Sequence, residues 1–328
     1  MRQLPKSSSF SSSSPFINSD CPTDCKNVDF HSQTQRLSSS YSSYKFTFCS
    51  WDNCLSEPAG AISCFQSGAS LTVTSCLFLS CLSTSFENPD ANEEYNGGAI
   101  CVVEISSLVV SSSSFIKCCA PQTNNDNRGS GGIFAYGIIT TISLSSSQFI
   151  SCFTGTSAAG AYFESIKTSD VGPQTVNNCR FVNCKAEGNT PDGGGLTFRN
   201  PAYTMGCSNS LFYKYSATTN AGGGLDFTFN ENSDDYPIRF CFFKENDATL
   251  GHDIRLRGYS STNPNPLLHC FSSSKEKIVY ITEGDCYNDN WLPLTNINVD
   301  LPQHETIHSA LSSHKNSSHC AFILSINS

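Results

Sequence analysis

Cysteine is the side chain that most strongly suggests chemistry in this sequence, because 18 of the 328 residues are cysteines. Five of them close a hexamer whose third residue is aromatic, as in CSWDNC (49–54) and CRFVNC (179–184). A zinc site gathers four ligands through short C-x2-4-C pairs, whereas these cysteines are 27 to 37 residues apart. The spacing therefore argues against a metal centre. Two interpretations stay open, namely buried cysteines that pack as small apolar side chains and disulfides between neighbouring repeats.

Asp234, Asp235 and His252 are weak candidates for catalysis. Together with Asp192 and the arginines that follow His252, they resemble in order the carboxylate, histidine and arginine motifs of polygalacturonases. Inverting hydrolysis of a glycoside needs two carboxyl groups about 6.5–9.5 Å apart, so these side chains would have to meet in one groove. Pro191 interrupts the first motif and the arginines follow His252 too soon. An enzyme is therefore the second hypothesis and not the first.

The aromatic hexamer is one copy of a repeat, and this repeat decides how the whole chain is interpreted. Its third positions are Trp51, Phe78, Phe115, Phe149, Phe181, Phe212 and Phe243. Its sixth positions include Cys54, Cys81, Cys118, Cys152, Cys184 and Asn246. Each hexamer is accompanied by a tetrad of small residues, which contains Gly60, Gly98, Gly131, Gly160, Gly194, Gly223 or Gly251. No GxxxxGK[ST] pattern follows these glycines, so we interpret them as structural and not as a phosphate-binding loop.

The segments between these motifs alternate apolar and polar residues, as in TTISLSSSQF (140–149), which predicts short β-strands. One repeat is too small to bury its own apolar face, so the copies must stack. We therefore predict an all-β fold, a right-handed parallel β-helix or solenoid of about seven coils over residues 46–260. Residues 1–45 are expected to hold a Ser-rich segment and an N-terminal cap, and residues 261–328 a C-terminal cap, because the end strands need covering.

Two positions of the hexamer, the aromatic third residue and the sixth residue, are predicted to face the interior on either side of a corner. The glycines of the tetrad are expected where the backbones of successive coils approach closely. These assignments give every conspicuous residue type of the repeat a structural role.

The pairing of GGAI with FxxN resembles the repeat of the chlamydial polymorphic membrane proteins and of related surface proteins in trichomonad protists. The nearest copy is FFKENDATLGHDI (242–254), and the likeness covers about residues 46–260. Five hexamers carry cysteine where that pattern has asparagine. The resemblance implies a parallel β-helix and a role in adhesion.

Composition and charge exclude several kinds of partner. The net charge is −9 and no basic stripe occurs, so neither nucleic acid nor an anionic membrane surface is expected to bind. No apolar run of about 20 residues could span a bilayer, and the opening MRQLPKSSSFSSSSPFINS lacks the apolar core of a secretory signal. No cofactor is expected, and the chain is predicted to be a monomer.

The longest insertions, residues 82–96 and 121–129, lie on the same side of the repeat, where stacked loops are suited to recognition. The leading hypothesis is a non-catalytic, adhesin-like protein of the cell surface or secreted space that presents these loops to a protein or glycan partner. The alternatives are a polysaccharide-active β-helix enzyme and an intracellular structural scaffold with reduced cysteines.

Overall fold

The chain forms β-strands and no helix in the residues that the computed structural model describes. These are residues 24–37, 41–84, 95–121, 128–165, 173–187, 193–199, 205–217, 223–228, 238–248, 253–257, 267–268, 270–272 and 279–282. The strands stack in parallel into a right-handed β-solenoid, so the predicted fold class is confirmed.

Four sheets, here named A to D in the order in which each coil passes through them, run along the solenoid. The nine strands of sheet A are Asp24–Lys26, Ser43–Thr47, Ser70–Thr74, Ser107–Ser111, Thr141–Ser145, Gln174–Asn177, Met205–Ser208, Ile238–Arg239 and Leu267–Leu268. The nine strands of sheet B are Asp29–His31, Ser50–Asp52, Leu77–Leu79, Ser114–Ile116, Gln148–Ile150, Arg180–Val182, Leu211–Tyr213, Phe242–Lys244 and Phe271–Ser272.

Sheets C and D complete each coil. The seven strands of sheet C are Leu55–Ser56, Leu82–Ser83, Cys119–Ala120, Phe153–Thr154, Lys185–Ala186, Ser216–Ala217 and Asp247–Ala248. The nine strands of sheet D are Gln35–Leu37, Ile62–Cys64, Ile100–Val103, Ile133–Gly137, Ala161–Ser165, Leu196–Arg199, Leu225–Thr228, Ile254–Arg257 and Val279–Thr282. A small fifth sheet, sheet E, pairs Tyr95–Gly97 with Arg128–Ser130.

The stack is longer than the sequence predicts, because three of the sheets have nine strands and the solenoid therefore has nine rungs instead of about seven. Its first strand, Asp24–Lys26, lies in the segment 1–45 and its last strand, Val279–Thr282, lies in the segment 261–328, and both segments were expected to hold caps. The hexamer of the first rung, VDFHSQ (28–33), contains no cysteine and escapes the repeat pattern. In the last rung, Ser272 takes the place of the aromatic residue.

Two corners per coil are made by single residues in the left-handed backbone conformation, with φ between 48° and 56°. The corner between sheets A and B uses Asn27, Phe48, Ser75, Ser112, Ser146, Asn178, Asn209 and Phe240. The corner between sheets B and C uses Ser32, Asn53, Ser80, Lys117, Ser151, Asn183, Lys214 and Glu245. Five of these residues are asparagine, which tolerates this conformation better than most side chains. Because the second corner precedes the sixth hexamer position, that residue turns inward as predicted, and Cys184 is buried.

The aromatic third positions form one continuous ladder through the interior. Phe30, which the sequence pattern does not reveal, stacks on Trp51, and the ladder continues to Phe243. Successive ring centroids are 4.6–5.0 Å apart and the ring planes differ by 3–15°. This spacing follows the ~4.8 Å separation of paired strands, so the register of the coils and the stacking of the rings enforce each other.

The tetrad glycines lie where coils approach most closely. A Cβ atom added to Gly131 would lie 2.6 Å from the backbone oxygen of Phe153 in the next coil. The alignment of the fourth tetrad needs a correction of one residue, since Ile133 pairs with Ala161 and not with Tyr162. Ala159 therefore occupies the position of Gly131, while Gly160 lies one place later. Gly251 lies outside the described residues.

Candidate functional surface

The two insertions predicted to bind a partner leave and rejoin the scaffold at stacked positions of neighbouring coils. At their beginnings, Leu82 pairs with Cys119 in sheet C. At their ends, Tyr95 pairs with Arg128 in sheet E. Residues 85–94 and 122–127, the central parts of the insertions, lie outside the described residues. The structure thus brings the anchors of both insertions side by side on one flank of the solenoid.

A second, smaller apolar core lies on the outer face of sheet D, beside these anchors. Tyr95 stacks on Tyr136 with centroids 4.9 Å apart and lies 5.6 Å from Phe134, which stacks in turn on Tyr162 at 5.2 Å. Cys101 belongs to the same cluster. Outward-facing side chains of a sheet are usually solvated, yet Phe134 and Tyr162 are fully buried here. The cluster therefore fastens the end of the first insertion to the scaffold.

An ion pair fastens the end of the second insertion in the same way. Arg128 Nη1 lies 3.1 Å from Glu164 Oε2, and the hydroxyl of Tyr162 donates a hydrogen bond to the same oxygen. The guanidinium carbon of Arg128 also lies 5.3 Å from the centre of the Tyr136 ring, within cation–π range. Because Glu164 is buried, this pair is shielded from salt and holds the strand Arg128–Ser130 in place.

A charged cluster continues along the outer face of sheet D toward the C-terminal end. Asp226 is buried and receives hydrogen bonds from both Arg255 and Arg257. Arg257 Nε lies 3.1 Å from Asp226 Oδ1, and its Nη2 lies 2.6 Å from Oδ2. Two guanidinium groups around one carboxylate stabilise its ionised form, so Asp226 is suited to holding strands together and not to donating a proton.

The residues proposed for catalysis, Asp234, Asp235 and His252, lie outside the described residues, as does Asp192. In the described ranges, Glu164 and Asp226 are the acidic groups on the outer face of sheet D that adjoin these clusters, and both are engaged in ion pairs. The described part of the chain also contains no group of three or more His, Cys, Asp or Glu residues arranged to hold a metal ion. The arrangement is chemically suited to anchoring loops.

The cysteines at the sixth hexamer position form an interior column of free thiols. Each thiol donates to the backbone oxygen of the aromatic residue in the preceding coil: Cys118 to Phe78 at 3.6 Å, and Cys152 to Phe115 at 3.5 Å. Asn246 makes the equivalent bond from Nδ2 to the backbone oxygen of Phe212 at 3.2 Å. The column is therefore a hydrogen-bonding spine, in which cysteine takes the donor role of asparagine.

Burial raises the pKa of the Cys118, Cys152 and Cys184 thiols and keeps them protonated, whereas hydrogen bonds with the Cys118 and Cys54 thiols lower the pKa of Cys81 to about 5. Desolvation raises the pKa of Cys152 well above its ordinary value, and it raises the pKa of Cys179, in a neighbouring column, to about 12. A thiol that does not ionise is a poor nucleophile and a poor metal ligand. Fourteen of the described cysteines are free, and Cys25 is disulfide-bonded. Among the described residues, the structure thus favours packed thiols over disulfides between coils.

The anchoring residues Tyr95, Arg128, Tyr136 and Glu164 were not identified from the sequence. A signal was present in IFAYG (133–137), where Phe134 and Tyr136 occupy the alternate positions of a strand whose other positions are also apolar. A strand that is apolar on both faces indicates cover on both sides. The segment that covers the second face could not be deduced, because long insertions carry no periodic pattern.

Comparison of the chain with protein-family models, with curated proteins and with solved structures gives no match. The class therefore follows from the strand pairing itself: this is a right-handed parallel β-solenoid protein with a stacked aromatic ladder and a column of buried thiols. Within the described ranges, no helix has the length and apolar character needed to cross a bilayer.

Proposed function

We propose that this protein is a non-catalytic interaction protein of the cell surface or secreted space, whose solenoid presents the insertions 82–96 and 121–129 to a protein or glycan partner. The observation that carries the proposal is the paired anchoring of both insertions. They begin in register in sheet C and end in register in sheet E. A binding surface made of two loops needs such fixed ends, because loops ordered only on binding lose affinity to conformational entropy.

The chemistry of the anchors favours recognition over catalysis. Two charged groups beside the ends of the insertions, Arg128 and Glu164, are paired with each other and lie against aromatic rings, and Glu57 accepts a hydrogen bond from Thr84 at the start of the first insertion. Paired charges and buried rings stiffen a surface, which favours recognition. The resemblance of the repeat to that of the polymorphic membrane proteins, which are linked to adhesion, supports the same function.

Replacement of the insertions tests this proposal directly. Residues 85–94 and 122–127 would be exchanged for short Gly-Ser linkers, and binding would be measured on an array of immobilised neutral glycans, acidic glycans and matrix proteins. We expect the wild-type chain to bind at least one array component and the exchanged variant to lose that binding with an unchanged melting temperature. A matched control exchanges residues 229–237, which connect sheets D and A on the other side of the repeat, and should bind normally. Equal binding by the two variants would contradict the proposal.

A further inference from the structure

The outer face of sheet B carries a stripe of apolar side chains that lie outside the core of the solenoid. Its members are equivalent residues of five successive coils, all outward-facing and partly exposed: Leu79, Ile116, Ile150, Val182 and Tyr213. A parallel row of the same sheet includes Leu77, which is 37% exposed, and Leu211, but the three residues between them are the polar Ser114, Gln148 and Arg180. A contiguous apolar stripe of this kind is typical of an interaction surface.

The two ends of the stripe carry opposite charge. In the coils before Leu79, the same face presents Asp29 and Asp52, with His31 beside Asp52. In the coil after Tyr213, it presents Lys244, whose ammonium lies 5.5 Å from the centre of the Tyr213 ring. The corner residue Lys214 lies 5.2 Å from that ring, and Glu245 pairs with Lys214 at 3.7 Å and with Lys244 at 3.5 Å, so this end carries two cations and one carboxylate. The stripe is therefore acidic at one end, apolar in the middle and basic at the other.

We propose that this face binds a second copy of the same chain, with the two solenoid axes antiparallel and a two-fold axis at Ile150. With rungs counted from Asp29–His31 as the first, Ile150 lies on the fifth rung, and a two-fold axis there places each rung against the one equally far on the other side. Ile116 then meets Val182 of the second copy, and Leu79 meets Tyr213. At the ends, Asp52 meets Lys244.

The pattern of the sequence is thus self-complementary under this one operation. In the second row, Leu77 on the third rung meets Leu211 on the seventh, whereas Ser114 meets Arg180 and Gln148 meets its own copy, so this row is polar at its centre. A parallel arrangement would place the acidic ends together and the basic ends together, which costs free energy through like-charge repulsion. Charge therefore selects the antiparallel dimer, since a parallel arrangement in register would match the apolar residues equally well.

The size of the face sets the strength of the association. Six steps of ~4.8 Å separate the rungs of Asp52 and Lys244, and a strand of three residues is about 10 Å wide, so each copy contributes a projected area of about 300 Å². This is well below the ~800 Å² per partner of a stable complex, so the dimer is expected to be weak and concentration-dependent. The chain was predicted from its sequence to be a monomer, and dilute solutions would still contain monomers.

Sedimentation equilibrium of the full chain over a wide concentration range tests the inference. We expect a reversible monomer–dimer equilibrium for the wild-type protein. The variant Ile150→Lys places two like charges at the two-fold axis and should raise the dimer dissociation constant at least about tenfold. Ile138→Lys is the matched control, because Ile138 is 47% exposed and lies off sheet B. Circular dichroism melting verifies that both variants remain folded.

A charge exchange tests the antiparallel register independently of the apolar stripe. Asp52→Lys and Lys244→Asp should each weaken the dimer, and the double variant should restore it. Within one chain these residues are about 29 Å apart, well beyond the ~8 Å screening length, so only contact between copies explains a rescue. A chain that is monomeric at every concentration overturns the proposal, whether residues 283–328 or another partner cover the face. An unchanged dimer in Ile150→Lys, or a double variant without rescue, overturns it too.

Discussion

Truncation of the central ladder residue, Phe149→Ala, measures how much the aromatic ladder contributes to stability. Phe149 is fully buried, and its ring lies 4.6 Å from that of Phe115 and 4.9 Å from that of Phe181. Replacement of a buried phenylalanine by alanine costs about 3–5 kcal/mol, including the cavity that remains. Two stacking contacts are lost as well, each worth about 0.5–1.5 kcal/mol. We therefore expect a loss near the upper end of this range, about 5 kcal/mol.

Equilibrium unfolding in urea, followed by circular dichroism, gives this free energy. In a stacked array each coil is stabilised by its two neighbours, so a defect in the middle should also uncouple the two halves and lower the denaturant m-value. Phe153→Ala is the matched control, because Phe153 lies four residues later and faces outward in sheet C. It should cost about 1 kcal/mol or less. If the two variants lose equal stability, the ladder is not the stabilising element argued here.

Three further predictions concern the close contacts, the buried ion pair and the thiols. Gly131→Ala should destabilise the fold by about 1–3 kcal/mol through overpacking against Phe153, whereas Ala159→Gly in the next coil should cost less, as urea unfolding would measure. Asp226→Ala leaves two arginines beside an empty position and should cost about 3–5 kcal/mol in the same assay, a value that a solvated pair would not reach. Burial raises the pKa of Cys179 to about 12, above the value near 9 of an unfolded thiol, so the stability from this thiol is complete below pH 9 and is lost as the pH rises toward 12. Unfolding free energies at pH 8, 10 and 11 should fall by about 1.4 kcal/mol per pH unit above pH 9 for each such thiol, and Cys179→Ser should flatten the slope.

The interior of the solenoid could be predicted from the sequence because its signal is repeated. Seven aromatic residues that recur every 27 to 37 positions identify the ladder, and the position of Cys184 after the corner follows from the geometry of a strand. The same logic fails by one residue at the fourth tetrad, where Tyr162 was aligned with Ile133. Both residues are apolar, but a strand alternates its faces, so Tyr162 points outward onto Phe134 and Ala161 points inward.

The ends of the stack and the anchors of the insertions could not be predicted, because their residues depend on contacts that do not repeat. The first rung keeps Phe30 but lacks the cysteines that mark later copies. Arg128 and Glu164 meet across 36 positions of the sequence, and nothing in either local segment indicates the pair. The repeated positions of the sequence are those that every coil requires for stacking. The residues of a binding surface differ from coil to coil, so they leave no repeated pattern.

The sixth hexamer position explains how cysteine can replace asparagine in such a repeat. Asn246 donates from Nδ2 to the backbone oxygen of Phe212, and its Oδ1 accepts a hydrogen bond from the backbone nitrogen of Tyr215. The thiol of Cys184 donates in the same way to the backbone oxygen of Phe149 at 3.6 Å, and its sulfur also has a hydrogen bond with the backbone of Cys152 in the preceding coil. A thiol is a weak donor but is cheap to bury, and an amide is a strong donor that is costly to bury unless both its groups are bonded. The two residues therefore reach the same position by different balances of hydrogen bonding and desolvation, and the hexamer SLFYKY (210–215) places a third residue type there, the buried Tyr215.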